Sequence, residues 1–419
     1  MDIEAYANTL ASNARRAGLR LAAEPVEKRT HAIRAIASGL RARSSDIVEA
    51  NRRDLTAGEA SGIAAPMLKR LALDEKKIEA MAGAVESIAA QPDPIGAVID
   101  SHVRADGLQI SKVRVPLGSV LFIYESRPNV TTDAAALCLR SGNAVILRGG
   151  KEAAHSNQQL AAVIREALVE ASLDAGAVQV VETADRSLLA LLLRMNDRID
   201  VVIPRGGEGL IRAVTEQSTI PVLKHFDGNC HIYVDRAAPD AKRVVDVIVN
   251  AKTSYPGGAV CNAVEHLLFH EASKHLIKPV CEALMSKAVE VRGDASTRSV
   301  VPGVVEATDA DWKLEYLAFV VGVKVVDSLD EAIDHINHFG SHHTDAILST
   351  DEQAIDQFVK RVDSASVMIN SSTRLADGGE YGLGAEIGIS TDKLHARGPM
   401  GAADMTTYKW VVRGEGHLR

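Results

Sequence analysis

Apolar residues along the first ninety positions recur with a helical period. Ile33, Ile36, Ala37 and Leu40 fall at i, i+3, i+4 and i+7 while Arg34 and Arg41 lie off that stripe, and Asp74 to Ala90 repeats the habit behind an aspartate suited to cap a helix. The spacing predicts helices whose work is packing. Pro92-Asp-Pro94-Ile-Gly96 breaks the pattern and marks a crossing between substructures. From Ser101 to Val115 the period drops to two around Asp106-Gly107, which predicts a β-hairpin with a two-residue type I′ turn. A ribbon of two strands is marginal by itself, so it needs a further partner, and a second subunit is a good candidate.

From Ser119 to Val234 the pattern changes again. The runs Val120–Ile123, Ala144–Leu147, Val178–Val181 and Val201–Ile203 are apolar on both faces and separated by helical stretches such as Asn157 to Glu170, as in a doubly wound fold with a parallel sheet. Pro204-Arg205-Gly206-Gly207-Glu-Gly follows one such strand and opens a helix, aiming helix N–H groups at a phosphate, although a glycine turn alone is weak evidence. After His231-Ile-Tyr-Val-Asp the alternation restarts: a helix from about Pro239 to Lys252, a loop, a strand Val264 to Phe269, and a helix from Glu271 to about Val289. This reads as a second α/β domain. The glycines of Ala376 to Ser390 predict an irregular segment that walls a pocket.

Composition narrows the function. With 47 Lys+Arg against 55 Asp+Glu, the net charge of −8 argues against nucleic acid or an anionic membrane as main partner and favours a small solute. No apolar run of membrane-spanning length and no signal peptide is seen, and the four cysteines show no CxxC or zinc spacing, so a soluble cytoplasmic protein with free thiols is expected. The paired histidines of Gly340-Ser-His-His-Thr-Asp345 lack a third ligand at a useful spacing, so no metal is expected.

One thiol stands apart. Asn250-Ala-Lys-Thr-Ser-Tyr-Pro-Gly-Gly-Ala-Val-Cys261 sets Cys261 at the end of a flexible loop between a helix and an apolar run, where Pro-Gly-Gly lets backbone approach a substrate and the following N–H groups face a developing oxyanion. Cys261 is therefore the candidate nucleophile. Cys138 and Cys281 lie in helical stretches and Cys230 at a strand start, which suits packing.

Several long stretches resemble one family. Tyr124-Glu-Ser-Arg-Pro-Asn129 through Gly150, Lys224-His-Phe-Asp-Gly-Asn-Cys-His231, Val326 through Ile347 and Asp377 through Met400 strongly resemble the γ-glutamyl phosphate reductases, or glutamate-5-semialdehyde dehydrogenases, of the aldehyde dehydrogenase superfamily. The resemblance covers about residues 110 to 410. It implies an aldehyde-dehydrogenase-like fold: two doubly wound α/β domains, one binding cofactor and one catalytic, plus a β-hairpin oligomerisation flap. The corresponding boundaries are 1–99 and 116–229 for NADP, 230–400 for catalysis, and 100–115 with 401–419 for assembly.

The implied reaction is NADPH-dependent reduction of L-glutamyl 5-phosphate to L-glutamate 5-semialdehyde, with release of phosphate through a cysteine thioester, in proline biosynthesis. Cys261 would attack, and Asn129 would donate its amide to the oxyanion beside the main-chain N–H of Cys261. His225 stands where hydrolytic relatives keep a water-activating glutamate; it is either catalytic or a core histidine. Arg127 either clamps a phosphate or carboxylate or makes a surface ion pair, and Glu125 either binds the substrate ammonium or pairs with Arg127; Ser126 and Asn262 complete the expected substrate contacts. For the cofactor, NADP(H), the resemblance points to Arg148, Gly149, Lys151, Pro204, Arg205, Gly206 and Gly207. NAD-preferring relatives place a glutamate where Lys151 stands; Lys151 either reads a 2′-phosphate or extends into solvent. A homodimer or homotetramer is expected, and a hand-over of the labile acyl phosphate from a glutamate 5-kinase is left open.

One departure is visible. The family motif Lys-Thr-Gln-Arg-Pro reads Lys252-Thr-Ser-Tyr-Pro256 here, followed by Gly257-Gly-Ala-Val, so the approach to Cys261 is about two residues longer and lacks a basic side chain. Two competing readings stand beside the reductase: a hydrolytic aldehyde dehydrogenase, which needs a carboxylate in place of His225, and a catalytically silent scaffold.

Overall fold

The structure is a computed structural model that describes residues 2–125 and 127–419, with backbone alone at Pro66. The four apolar runs become one parallel sheet in the spatial order Val178–Val180, Ala144–Arg148, Ser119–Tyr124 and Val201–Arg205. Helices cover both faces, so the strand residues Val120 to Ile123 are wholly buried and, Gln179 of the edge strand apart, the runs show no polar alternation. The N-terminal helices belong to the same core: Ile33, Ile36, Ala37 and Leu40 are all buried in it, with Arg34 and Arg41 exposed. Asp74 caps the helix Glu75–Ala90 by accepting from the Lys77 N–H at 2.7 Å.

The second half builds a seven-stranded parallel sheet. Its order is Val305–Glu306, Glu290–Gly293, Val320–Val326, Val264–His270, Cys230–Val234, Thr344–Leu348 and Ser366–Ile369. The expected single helix after Glu271 divides into a 3-10 turn, Glu271–Leu276, and an α-helix, Ile277–Met285. Pro279 accounts for the division, because a residue without an N–H fits an α-helix in its first turn but not deeper. Buried Ile387, Ala396 and Met400 pack back onto the core of the four-stranded sheet, so the glycine-rich segment bridges the two halves.

The hairpin forms, with two differences from expectation. Strands Val98–Val103 and Gln109–Pro116 pair antiparallel, but Arg104 and Leu108 close a three-residue loop in which Gly107 alone takes a positive φ, of 89°. Asp106 keeps a negative φ and binds the Arg104 guanidinium, so a left-handed glycine after an ordinary turn replaces the type I′ pair. The third strand comes from the chain itself: Thr406–Arg413 pairs with Gln109–Pro116 along its whole length.

Candidate functional site

The loop that carries Cys261 is tied at both ends. Lys252, in the last turn of the helix Ala241–Thr253, meets Glu265 in the strand Val264–His270 at 2.7 Å, and both side chains are fully buried. Burial drives each towards its neutral form, which pushes the Glu265 carboxyl up to about 7 and the Lys252 ammonium down, while their mutual attraction opposes both shifts. Between these anchors Pro256–Gly258 makes a 3-10 turn with φ of 71° at Gly257 and 67° at Gly258. A Cβ at 258 would stand 3.0 Å from the Ala318 carbonyl, so this part of the loop forms a compact turn against residues 318 and 319.

Cys261, the candidate nucleophile, is held by its own carbonyl. A Cβ at Gly228 would lie 1.8 Å from Cys261 O, so two backbones touch at a position that only glycine allows. The Cys230 thiol donates to the same carbonyl at 3.2 Å. Among the described residues the main-chain N–H groups of Cys261 and Asn262 find no acceptor, which leaves them for a ligand oxygen.

Cys261 is half-buried, whereas Cys138, Cys230 and Cys281 are buried. Burial pushes those three thiols up, Cys281 to about 12, and keeps them protonated. Around Cys261 stand two imidazoles: a ring nitrogen of His225, one of His343 and the Cys261 thiol all lie within 4.8 Å of one another. His225 Nδ1 is 2.8 Å from the Ile389 carbonyl, which can only accept, so Nδ1 carries the proton and Nε2 the lone pair. His343 is fully buried, its Nδ1 bonds Thr344 Oγ1 at 2.9 Å and its Nε2 has no partner. His342 directs it with a left-handed φ of 60°, held by an Nδ1 contact to the Asp363 carbonyl at 2.6 Å. Sequence reasoning dismissed the histidine pair for want of further ligands; its partners come from distant segments.

Charge is divided across the site. Burial raises the Asp227, Glu315 and Glu386 carboxyls, with the nearby Gly228 N–H opposing the rise at Glu315. On the other side Arg127 is desolvated and repelled by Arg205 and Arg70, which lowers it, while Tyr255 and Cys261 draw it up. Among the described residues it makes no ion pair, so the expected surface pair with Glu125 does not form. Arg374 lies over the Tyr255 ring with 5.5 Å from guanidinium carbon to centroid. Arg127 and Arg374 therefore put positive charge near Tyr255.

The other expected residues fall in two groups. Asn129 opens the helix Asn129–Arg140 with its amide donating to Asp133 at 3.0 Å. Burial raises Asp133 to about 6. Asn262 does not face a ligand: its amide donates to Ala376 O at 3.0 Å and its oxygen accepts from Arg374, so it braces the 374–376 segment. Ser126 lies outside the described residues.

Arg148, Gly149, Lys151, Pro204, Arg205, Gly206 and Gly207 lie at the carboxyl ends of the two parallel strands that flank Ser119–Tyr124, the end of the sheet at which α/β folds bind ligands. Glu125 accepts there from the Gly207 N–H at 3.0 Å, so it serves this crevice and not Arg127. Arg205 also reaches across to the Ile387 carbonyl at 3.2 Å. Lys151 is exposed, and Glu152, unnoticed in the sequence, folds its carboxylate towards Gly150 and attracts Arg148.

Gly228→Ala forces this contact apart and is expected to destabilise the protein by about 1–3 kcal/mol through overpacking alone. Urea unfolding reads the change; an unaltered midpoint and slope would show that the two backbones have room to spare.

Comparison with known proteins agrees with this architecture. The model of the "Aldehyde dehydrogenase family" matches residues 3–304. A gamma-glutamyl phosphate reductase of Moorella thermoacetica is 48% identical over 420 residues, covering all of both chains. The crystal structure of gamma-glutamyl phosphate reductase from Thermotoga maritima superposes with a TM-score of 0.95 at 46% identity, over 99% of each chain. That from Saccharomyces cerevisiae gives a TM-score of 0.55 at 30% identity, over 98% of each chain. The chain belongs to the aldehyde dehydrogenase family and, within it, to the gamma-glutamyl phosphate reductases.

Proposed function

We propose that the protein reduces L-glutamyl 5-phosphate to L-glutamate 5-semialdehyde with NADPH, releasing phosphate, as a step of proline biosynthesis. The observation that carries this reading is that Cys261 alone among four thiols is reachable and stands beside two imidazoles. With Nδ1–H committed to Ile389, His225 has Nε2 left to take the thiol proton as Cys261 attacks the acyl phosphate. The free N–H groups of Cys261 and Asn262, with the Asn129 amide, would hold the tetrahedral oxyanion until phosphate leaves. Arg127, desolvated and without a carboxylate partner, suits the departing dianion. The enzyme-bound thioester is then reduced to a thiohemiacetal, which collapses to the aldehyde and frees the thiol. A histidine in place of a carboxylate base spares the thioester from water, which favours this reading over a hydrolytic dehydrogenase.

The strand-end crevice fits a dinucleotide, because glycines line it and the helix Glu208–Gln217 begins at Gly207 without a side-chain cap. Bound NADPH supplies the hydride. Arg148 and Lys151 would pair with its 2′-phosphate, with the Glu152 carboxylate moving aside. We assign residues 1–99 and 116–229 to cofactor binding, 230–400 to catalysis, and 100–115 with 401–419 to subunit contact in a homodimer or homotetramer. The three-stranded ribbon supports the last assignment by exposing Trp410 at 55% and Val412 at 56%.

With glutamate semialdehyde and NADP, wild-type turnover is expected to require phosphate, and Cys261→Ser to abolish it while the fold and NADP binding persist. Phosphate-independent turnover would identify a hydrolytic enzyme; inactivation by iodoacetamide through Cys138, Cys230 or Cys281 would overturn the nucleophile. Light scattering at micromolar concentration should report a dimer or tetramer, and a monomer counts against the ribbon's role. Lys151→Glu is expected to raise KM for NADPH more than about tenfold with little change for NADH, as befits loss of a charge-assisted hydrogen bond of roughly 1.5–3 kcal/mol; an unchanged ratio shows that Lys151 does not read the phosphate.

A further inference from the structure

We propose that Cys261, His225 and His343 form a reversible site for a soft divalent cation of the zinc class, which caps the nucleophile and silences it. The inference rests on the reading of Cys261 as a reachable nucleophile. One sulfur and two imidazoles are a donor set that prefers zinc over magnesium or calcium. Their ligand atoms already lie within 4.8 Å of one another. Zinc bonds of roughly 2.0 Å to nitrogen and 2.3 Å to sulfur set tetrahedral ligand atoms about 3.5 Å apart, a change that side-chain rotation can supply.

Two independent features point to a ligand. His343 is wholly buried, yet its Nε2 has no hydrogen-bond partner, an arrangement that a metal would satisfy. Each ring also has an outer contact at Nδ1 that would leave Nε2 for a metal: Ile389 O at 2.8 Å from His225 Nδ1 and Thr344 Oγ1 at 2.9 Å from His343 Nδ1. The carboxylates of Asp227, Glu315 and Glu386 surround His343 electrostatically and favour a dication. Arg127 opposes it from the Cys261 side. Three protein ligands leave a fourth position for water. Binding breaks the S–H bond, forms a Zn–S bond and releases the proton to solvent; no electrons move, and a chelator reverses the step.

The test uses the full chain with zinc or cobalt ions alone, in phosphate-free buffer without substrate or cofactor. Competition against a chromophoric chelator is expected to give one zinc per chain, and cobalt a near-ultraviolet thiolate-to-metal band that zinc abolishes. Cys261→Ser should remove the band and weaken zinc binding at least a hundredfold; His343→Gln should weaken it at least tenfold, and His275→Gln, on the surface, should not. Zinc bound equally well by wild type and Cys261→Ser, or cobalt bound without the thiolate band, overturns the proposal. Because the readout is binding and not turnover, it is separable from the reductase assignment: a protein inactive with semialdehyde that shows the band keeps the site and loses the reaction.

Discussion

The buried ion pair between Lys252 and Glu265 is the constraint on which the reactive loop depends. Removing one partner of such a pair typically costs about 3–5 kcal/mol, because the remaining charge is stranded without water. Here the pair joins the last turn of a helix to the second residue of a central strand, with the whole loop of Cys261 between them. Between those fixed ends the loop turns left-handed at Gly257 and Gly258, and Cys261 sits against Gly228.

Around this anchor the site is assembled from segments that are far apart in sequence. The carboxyl ends of the four-stranded sheet contribute Glu125, Arg148 and the Gly206-Gly207 turn, while the seven-stranded sheet contributes Cys230, the lead into Val264, and His343 just before Thr344. The glycine-rich segment then closes the gap, with Ile387 in the first core, Ile389 holding His225, and Glu386 accepting from the Gly378 N–H at 2.9 Å. Reactive groups are thus fixed by contacts between rigid sheets, which suits chemistry that depends on positioning within an ångström.

What was legible in the sequence follows from the range of the forces involved. Ile33 to Leu40, the four apolar runs and the Asp74 cap express local periodicity and local hydrogen bonding, and each is found where the pattern places it. Cys261 is the one of the four thiols that is half-buried and not buried, and that it differs from the other three was legible from its place in a loop between a helix and an apolar run. His343 was not, since adjacent histidines carry no sign of which one turns inward; that is decided by the backbone at His342 and by Asp363. Glu125 and Asn262 were expected to contact substrate, but their side chains satisfy backbone groups at Gly207 and Ala376, and those partners exist only once the chain has folded. The Asp106-Gly107 turn shows the same limit at short range: the dipeptide admits two loop lengths, and the Arg104 and Leu108 pairing chooses between them.

The division of charge about Cys261 is what lets the two proposals, an acyl phosphate and a cation, concern one pocket. Arg127 carries an unpaired charge in a desolvated position, with Arg205 and Arg70 raising its cost, so an anion beside it relieves a penalty already present in the free protein. Asp227, Glu315 and Glu386 do the reverse on the His343 side, where each carboxyl is itself strained towards protonation by burial. Under the two proposals, a phosphate drawn to Arg127 and a metal drawn to His343 would both need the Cys261 sulfur between them, so they would exclude one another through that one atom. Occupancy would then follow the relative concentrations of substrate and metal, with no need for a change in the fold.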